Sequence, residues 1–153
     1  MSSLSNNKRI IEVWAKKGDI ESDDFSKFIC YWIAFNCWLY TKTNEVRDRL
    51  ALNKLYSKRE LYNNFQKSVI ENESPFTALV NVCPIKNNRT ENRKKAVKDI
   101  HEFKEVIDVL YEIRCNLFHG SKLDTDKRDM EVIKAATPVL EIIVKDICLK
   151  TFD

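Results

Sequence analysis

Arg114, Asn116 and His119 stand together in RCNLFHG, residues 114–120, the stretch of this chain whose residue types and spacing invite chemistry. A histidine, with an ordinary pKa of about 6.5, can take or give a proton near neutrality. An arginine is permanently charged, and its planar fork of donors matches two oxygens of a phosphate. An asparagine between them can orient the imidazole or the bound group. No carboxylate pair with acid–base spacing stands out elsewhere. Cys115 is close in sequence to His119, but a thiol there points to another side of the helix.

The same residues also have structural readings. The helix before Gly120 carries Ile100, Phe103, Ile107, Leu110 and Leu117 as its buried stripe. At ~100° per residue, Arg114 falls in the middle of that stripe. An arginine among core positions is costly unless it is paired or opens onto a site. Asp108, Glu112 or an acid of the last helix would be its partner in a purely structural role. His119 beside Gly120 would in the same spirit cap the helix end, favoured by the macrodipole. Five residues apart on a helix, Arg114 and His119 are rotated by about 140° and displaced by ~7.5 Å. They meet on one substrate only if the helix end bends or a second copy supplies the partner. His101, the other histidine, shows no recognisable partners and reads as surface.

The elements that must hold this stretch are helices. Among 153 residues there are two glycines, Gly18 and Gly120, and three prolines. That scarcity excludes dinucleotide fingerprints and P-loops and argues against sheet folds rich in tight turns. Apolar residues make up 44% and charged residues 32%, the balance of a globular chain. The expected fold is an all-α helical bundle, one domain over residues 1–153. A first helix spans about 5–17, with Ile10, Ile11 and Trp14 on its apolar side and Gly18 as its C′ residue. Ser22, Asp23 and Asp24 cap the second. There Phe25, Phe28, Ile29, Trp32, Phe35 and Leu39 recur at helical spacing, and the opposite side is apolar too, so this helix must be covered all round. A third carries Val46, Leu50 and Leu55. Ser57 and Glu60 form a capping box for a fourth, and Ser74–Pro75 opens a short fifth. Residues 83–96, CPIKNNRTENRKKA, read as the main loop, mobile and exposed. Two long helices close the chain, one over about 97–119 and one from 124 or 125 to 149, the latter kinked or divided at Pro138.

Net charge is +3 with a pI near 8.5, mildly basic and compatible with nucleic acid. Five scattered cysteines with no C-x-x-C pair predict reduced thiols, with neither a disulfide framework nor a zinc site. The N-terminal stretch lacks a signal-type apolar region, and the most apolar run, residues 28–40, falls short of the ~20 residues of a membrane span. The expectation is a soluble, cytoplasmic protein without cofactor or metal.

RCNLFHG resembles the arginine, four residues, histidine signature of the HEPN superfamily, where many members read much like R-N-N-L-F-H-G. The segment YWIAFNCWLY, residues 31–40, is similar to the W-x-A-F-N-x-x-Y run of one branch of small bacterial members. Together the segments span most of the chain. The resemblance implies a helical bundle that dimerises across the motif helices. It also implies a metal-independent endoribonuclease acting on RNA, often a toxin with a cognate antitoxin of nucleotidyltransferase type, or a defence component. Carried onto this chain, Arg114 and His119 match the motif's arginine and histidine, and Asn116 matches a polar position. Cys115 departs from the Asn, Asp or His usual after the arginine, and thiols are weak hydrogen-bonding groups. That departure favours the second reading, a non-catalytic module of the same fold binding a nucleotide, an RNA or a protein partner. Arg93, Lys94, Lys95 and Lys122 are the expected substrate-binding residues. Arg93, Lys94 and Lys95 belong to a basic run with Lys86, Arg89 and Lys98 that would steer phosphates or simply be solvated. The run holds no aromatic residue to stack a base.

Overall fold

The apolar run of residues 28–40 forms the axis of the protein. In the computed structural model it lies in α2, Asp24–Thr43, where Phe28, Tyr31, Trp32, Phe35, Trp38 and Leu39 are all buried. Burying side chains of this size stabilises the fold by roughly 1.5–3 kcal/mol each before ordering costs. Asp23 caps the helix, its carboxylate accepting the Ser26 N–H at 2.9 Å. The structure describes residues 3–87, 90–118 and 127–152, without the side chains of residues 3, 4 and 90–93.

Around α2 stand α1 (Ser3–Ile20), α3 (Asp48–Tyr56), α4 (Glu60–Glu71), α5 (Glu73–Asn81), α6 (Phe103–Phe118) and α7 (Lys127–Ile143), which passes into a π turn, Val144–Cys148. An antiparallel hairpin of β1 (Ile85–Asn87) and β2 (Thr90–Lys95) joins α5 to α6. α2 packs against α1, α3, α7 and the π turn, while α6 packs against α7 and the hairpin. One all-α bundle with a small hairpin results, as the helical periodicity of the sequence requires. Phe65, Phe76 and Phe103 close its far end edge to face, with ring centroids 5.8 and 5.0 Å from Phe65. Among the described residues no helix is long and apolar enough to cross a membrane.

Several expectations need correction. Gly18 does not end α1, which runs on to Ile20. A Cβ on Gly18 would lie 2.6 Å from Tyr31 Cε1, so the glycine is there to let α1 lie against the ring. Residues 83–96 are not simply a loop: they carry the hairpin, with Ile85 buried. Ser57 does not cap α4; its hydroxyl donates to the Lys54 carbonyl at the end of α3. Ser74 and Pro75 lie inside the first turn of α5, which begins at Glu73, two residues before the start that the cap pair implied. Val46 is exposed and precedes α3, which begins at Asp48. α6 begins at Phe103 rather than near 97. α7 continues through Pro138, because both Pro138 and Lys134, whose carbonyl loses its partner, face solvent. The irregularity comes later, where the Leu149 N–H reaches the Val144 carbonyl at 3.0 Å. The expected end of α6 at His119 and the start of the last helix near 124 lie outside the described residues, as do Arg89, Gly120 and Lys122.

Candidate functional site

Arg114 stands on the last described turn of α6, at the rim of the buried face rather than in its middle. The centre belongs to Val109, Leu110 and Ile113, all fully buried. The Arg114 side chain keeps 22% of its surface exposed and lies between aromatic rings, its guanidinium carbon 4.6 Å from the centroid of Phe118 and 6.0 Å from that of Tyr111. Its acid is none of those expected. Nη1 lies 3.6 Å from Oδ2 of Asp48, the first residue of α3. The Cys115 thiol, at 4.0 Å, is its other polar contact among the described residues, and the buried Nε bonds none of them. Among the described residues its carboxylate partner is no closer than 3.6 Å, an arrangement that can take an anion.

α2 reaches this arginine through Asp48. The Tyr40 hydroxyl donates to Asp48 Oδ1, and Asn36, one turn earlier on α2, lies beside Tyr40. Burial, then the hydrogen bond to Asp48, raises the Tyr40 pKa, against the opposing pull of Asn36 and Arg114. The Asn36 carbonyl oxygen is buried and bonds no described residue. The aromatic helix thus contributes polar groups as well as core, and residues 31–40 approach α6 at Arg114.

A second arginine adjoins the first. Arg49 lies over the same Tyr111 ring, its guanidinium carbon 5.3 Å from the centroid, while Nη1 is 3.4 Å from Asp108 Oδ1. Asp108 is mostly committed elsewhere: Tyr56 donates to Oδ1 at 2.5 Å and Lys104 to Oδ2 at 2.6 Å. Burial pushes the Asp108 carboxyl up, but the bonds from Lys104 and Tyr56 outweigh it and leave the pKa lowered. Burial and the neighbouring Cys115 raise the Tyr111 hydroxyl to about 12. Tyr111 is braced from behind by Trp32 of α2, with ring centroids 6.2 Å apart.

Asn116 does not join Arg114. Two residues further round the helix, it is 2% exposed, and its amide donates to the Lys86 carbonyl at 2.7 Å, tying β1 to α6. Glu112 is equally buried, with Oε1 bonding no described residue. Lys94 and Lys86 face each other across the hairpin in register, both exposed, and Lys95 is half-buried near enough to act on Asp108. The strand backbone includes Arg93, but its side chain and all of His119 and Lys122 lie outside what is described. His101 is exposed as expected, yet it has a partner, with Nδ1 2.6 Å from Gln66 Oε1. Of the added residues, Asn36 and Tyr40 had a signal in the sequence, a polar pair at i and i+4 in an apolar helix. Asp48, Arg49 and Tyr111 had none. Comparisons with models of protein families, with curated proteins and with solved structures find no match to this chain.

Proposed function

We propose that this protein is a metal-independent endoribonuclease of the HEPN type, acting as a homodimer with Arg114 and His119 at the reacting phosphate. The observation that carries the reading is the approach of Asn36 and Tyr40 to Arg114 through Asp48, because the two stretches that resemble the superfamily meet there. Arg114 would hold the scissile phosphate and stabilise the charge that develops on the phosphorane. His119, supplied by the other copy, would take the 2′-hydroxyl proton and then give a proton to the leaving 5′-oxygen. A toxin with a nucleotidyltransferase-type antitoxin, or a defence nuclease, would be the setting for such an activity.

A specific observation favours a second reading, a non-catalytic module that binds RNA. Cys115 stands where members of that superfamily carry a polar residue, and the Asn116 amide that would replace it gives an N–H to the Lys86 carbonyl. Cleavage of total tRNA and of a generic mRNA in EDTA, by the wild type and by His119→Ala, separates the readings. Cleavage that persists in chelator and disappears in the variant supports the nuclease. Absence of cleavage by a folded, dimeric wild type, with salt-dependent RNA binding, supports the module. Equal cleavage by both proteins removes His119 from the reaction.

A further inference from the structure

Arg49 and Arg114 are two arginines on different helices that share one aromatic ring and are each held by a loose ion pair. Charge-assisted N–H···O bonds settle at ~2.7–2.9 Å. The pairs here measure 3.4 Å for Arg49 with Asp108 and 3.6 Å for Arg114 with Asp48. The two acids, in contrast, are well served without the arginines. Asp108 keeps Tyr56 and Lys104 at 2.5 and 2.6 Å, and Asp48 keeps the Tyr40 hydroxyl. Turning either guanidinium away would leave each carboxylate at least one close hydrogen bond, which lowers the usual cost of breaking a part-buried pair. The ring of Tyr111 holds both cations near one another while they turn, as arginine stacks favourably on an aromatic face.

We infer that Arg49 and Arg114 form a two-arginine clamp for neighbouring phosphates of one RNA strand, with Asp48 as the gate that occupies Arg114 until a phosphate replaces it. This rests on the reading of Arg114 as a phosphate-binding residue and adds Arg49, which lies outside the motif, as a determinant of strand binding. Single-stranded RNA is the ligand chemistry that fits. Its phosphates offer paired oxygens to each planar fork, and the exposed ring of Phe118 beside Arg114 supplies a face on which an unpaired base can stack. Asp48 opposes binding by competing for Arg114 and by repelling the incoming phosphate.

The test uses the full chain and a 2′-O-methylated single-stranded oligonucleotide, which has no 2′-hydroxyl to react, so binding is read apart from cleavage. Affinity is measured over a salt series for the wild type and for Arg49→Ala, Arg49→Gln, Asp48→Asn and Lys16→Ala. Arg49→Gln can still donate to Asp108, and Lys16→Ala removes an exposed charge from α1. Loss of one phosphate contact should weaken binding roughly tenfold. It should also lower the slope of log affinity against log salt by ~0.7. Both arginine variants should show this with unchanged melting temperature, while Asp48→Asn binds several-fold more tightly than the wild type. The gain on removing Asp48 is a result that a purely structural role for these residues would not produce. The clamp is overturned if Arg49→Gln, folded, keeps wild-type affinity and slope, or if Lys16→Ala loses as much as Arg49→Ala. Should the EDTA assay show no cleavage while Arg49 and Asp48 behave as stated, the clamp stands and the nuclease reading alone fails.

Discussion

Asp108 shows how one residue's bonds become a pH dependence. Lys104 and Tyr56 hold its carboxyl below the ordinary carboxylate value despite burial. A carboxyl with a lowered folded-state pKa stabilises the fold above its unfolded pKa, about 4, and loses that contribution as pH falls through the folded value. Asp108→Asn should therefore cost roughly 1–3 kcal/mol at pH 7. The gap in melting temperature between variant and wild type should narrow from pH 4 downward; a gap that widened there would reverse the assignment. Of the groups that meet Asp108, only Lys104, one turn away on the same helix, is local in the sequence. Tyr56 and Arg49 come from α3, more than fifty positions earlier, and the same distance hid Asp48 from Arg114. Local periodicity names the arginine as anomalous; only packing names its partner.

At the scale of elements, α2 was legible because an all-round apolar helix has one place to go, the centre of the bundle. α1 and the hairpin were not. Gly18 looks like a helix stop, since glycine is costly in a helix interior, yet contact with Tyr31 is worth more than that cost. Gly18→Ala should raise helix propensity and still lower stability by roughly 1–3 kcal/mol, because the added methyl meets a fully buried ring. Denaturant unfolding decides the sign. The hairpin was hidden by its composition: its lysines and asparagines carry no alternating apolar pattern, and Ile85 is the one residue of β1 that is buried. Its attachment depends on Asn116, whose amide reaches the Lys86 carbonyl. Asn116→Ala should accelerate amide exchange across residues 85–95 well before it changes exchange in α2. Uniform protection in the variant would mean the hairpin is held by Ile85 alone.

For the whole molecule, the question is whether one chain can complete the site that Arg114 begins. Asn116, two residues beyond Arg114, already faces the hairpin, and a helix turns about 140° between positions 114 and 119. On the proposed reading, the arginine of one copy works with the histidine of the other. Complementation then follows from geometry. Arg114→Ala and His119→Ala homodimers should each be inactive. Mixed and allowed to exchange subunits, they form heterodimers in which one composite site regains both wild-type residues while the other has neither. About half of the dimers are then heterodimers with one good site of two, so RNA cleavage in EDTA should recover to roughly a quarter of the wild-type rate at equal total protein. Recovery must follow subunit exchange, appearing with the same time course as heterodimers seen by native mass spectrometry. Heterodimers that form without any return of cleavage would place arginine and histidine of the same chain on one phosphate.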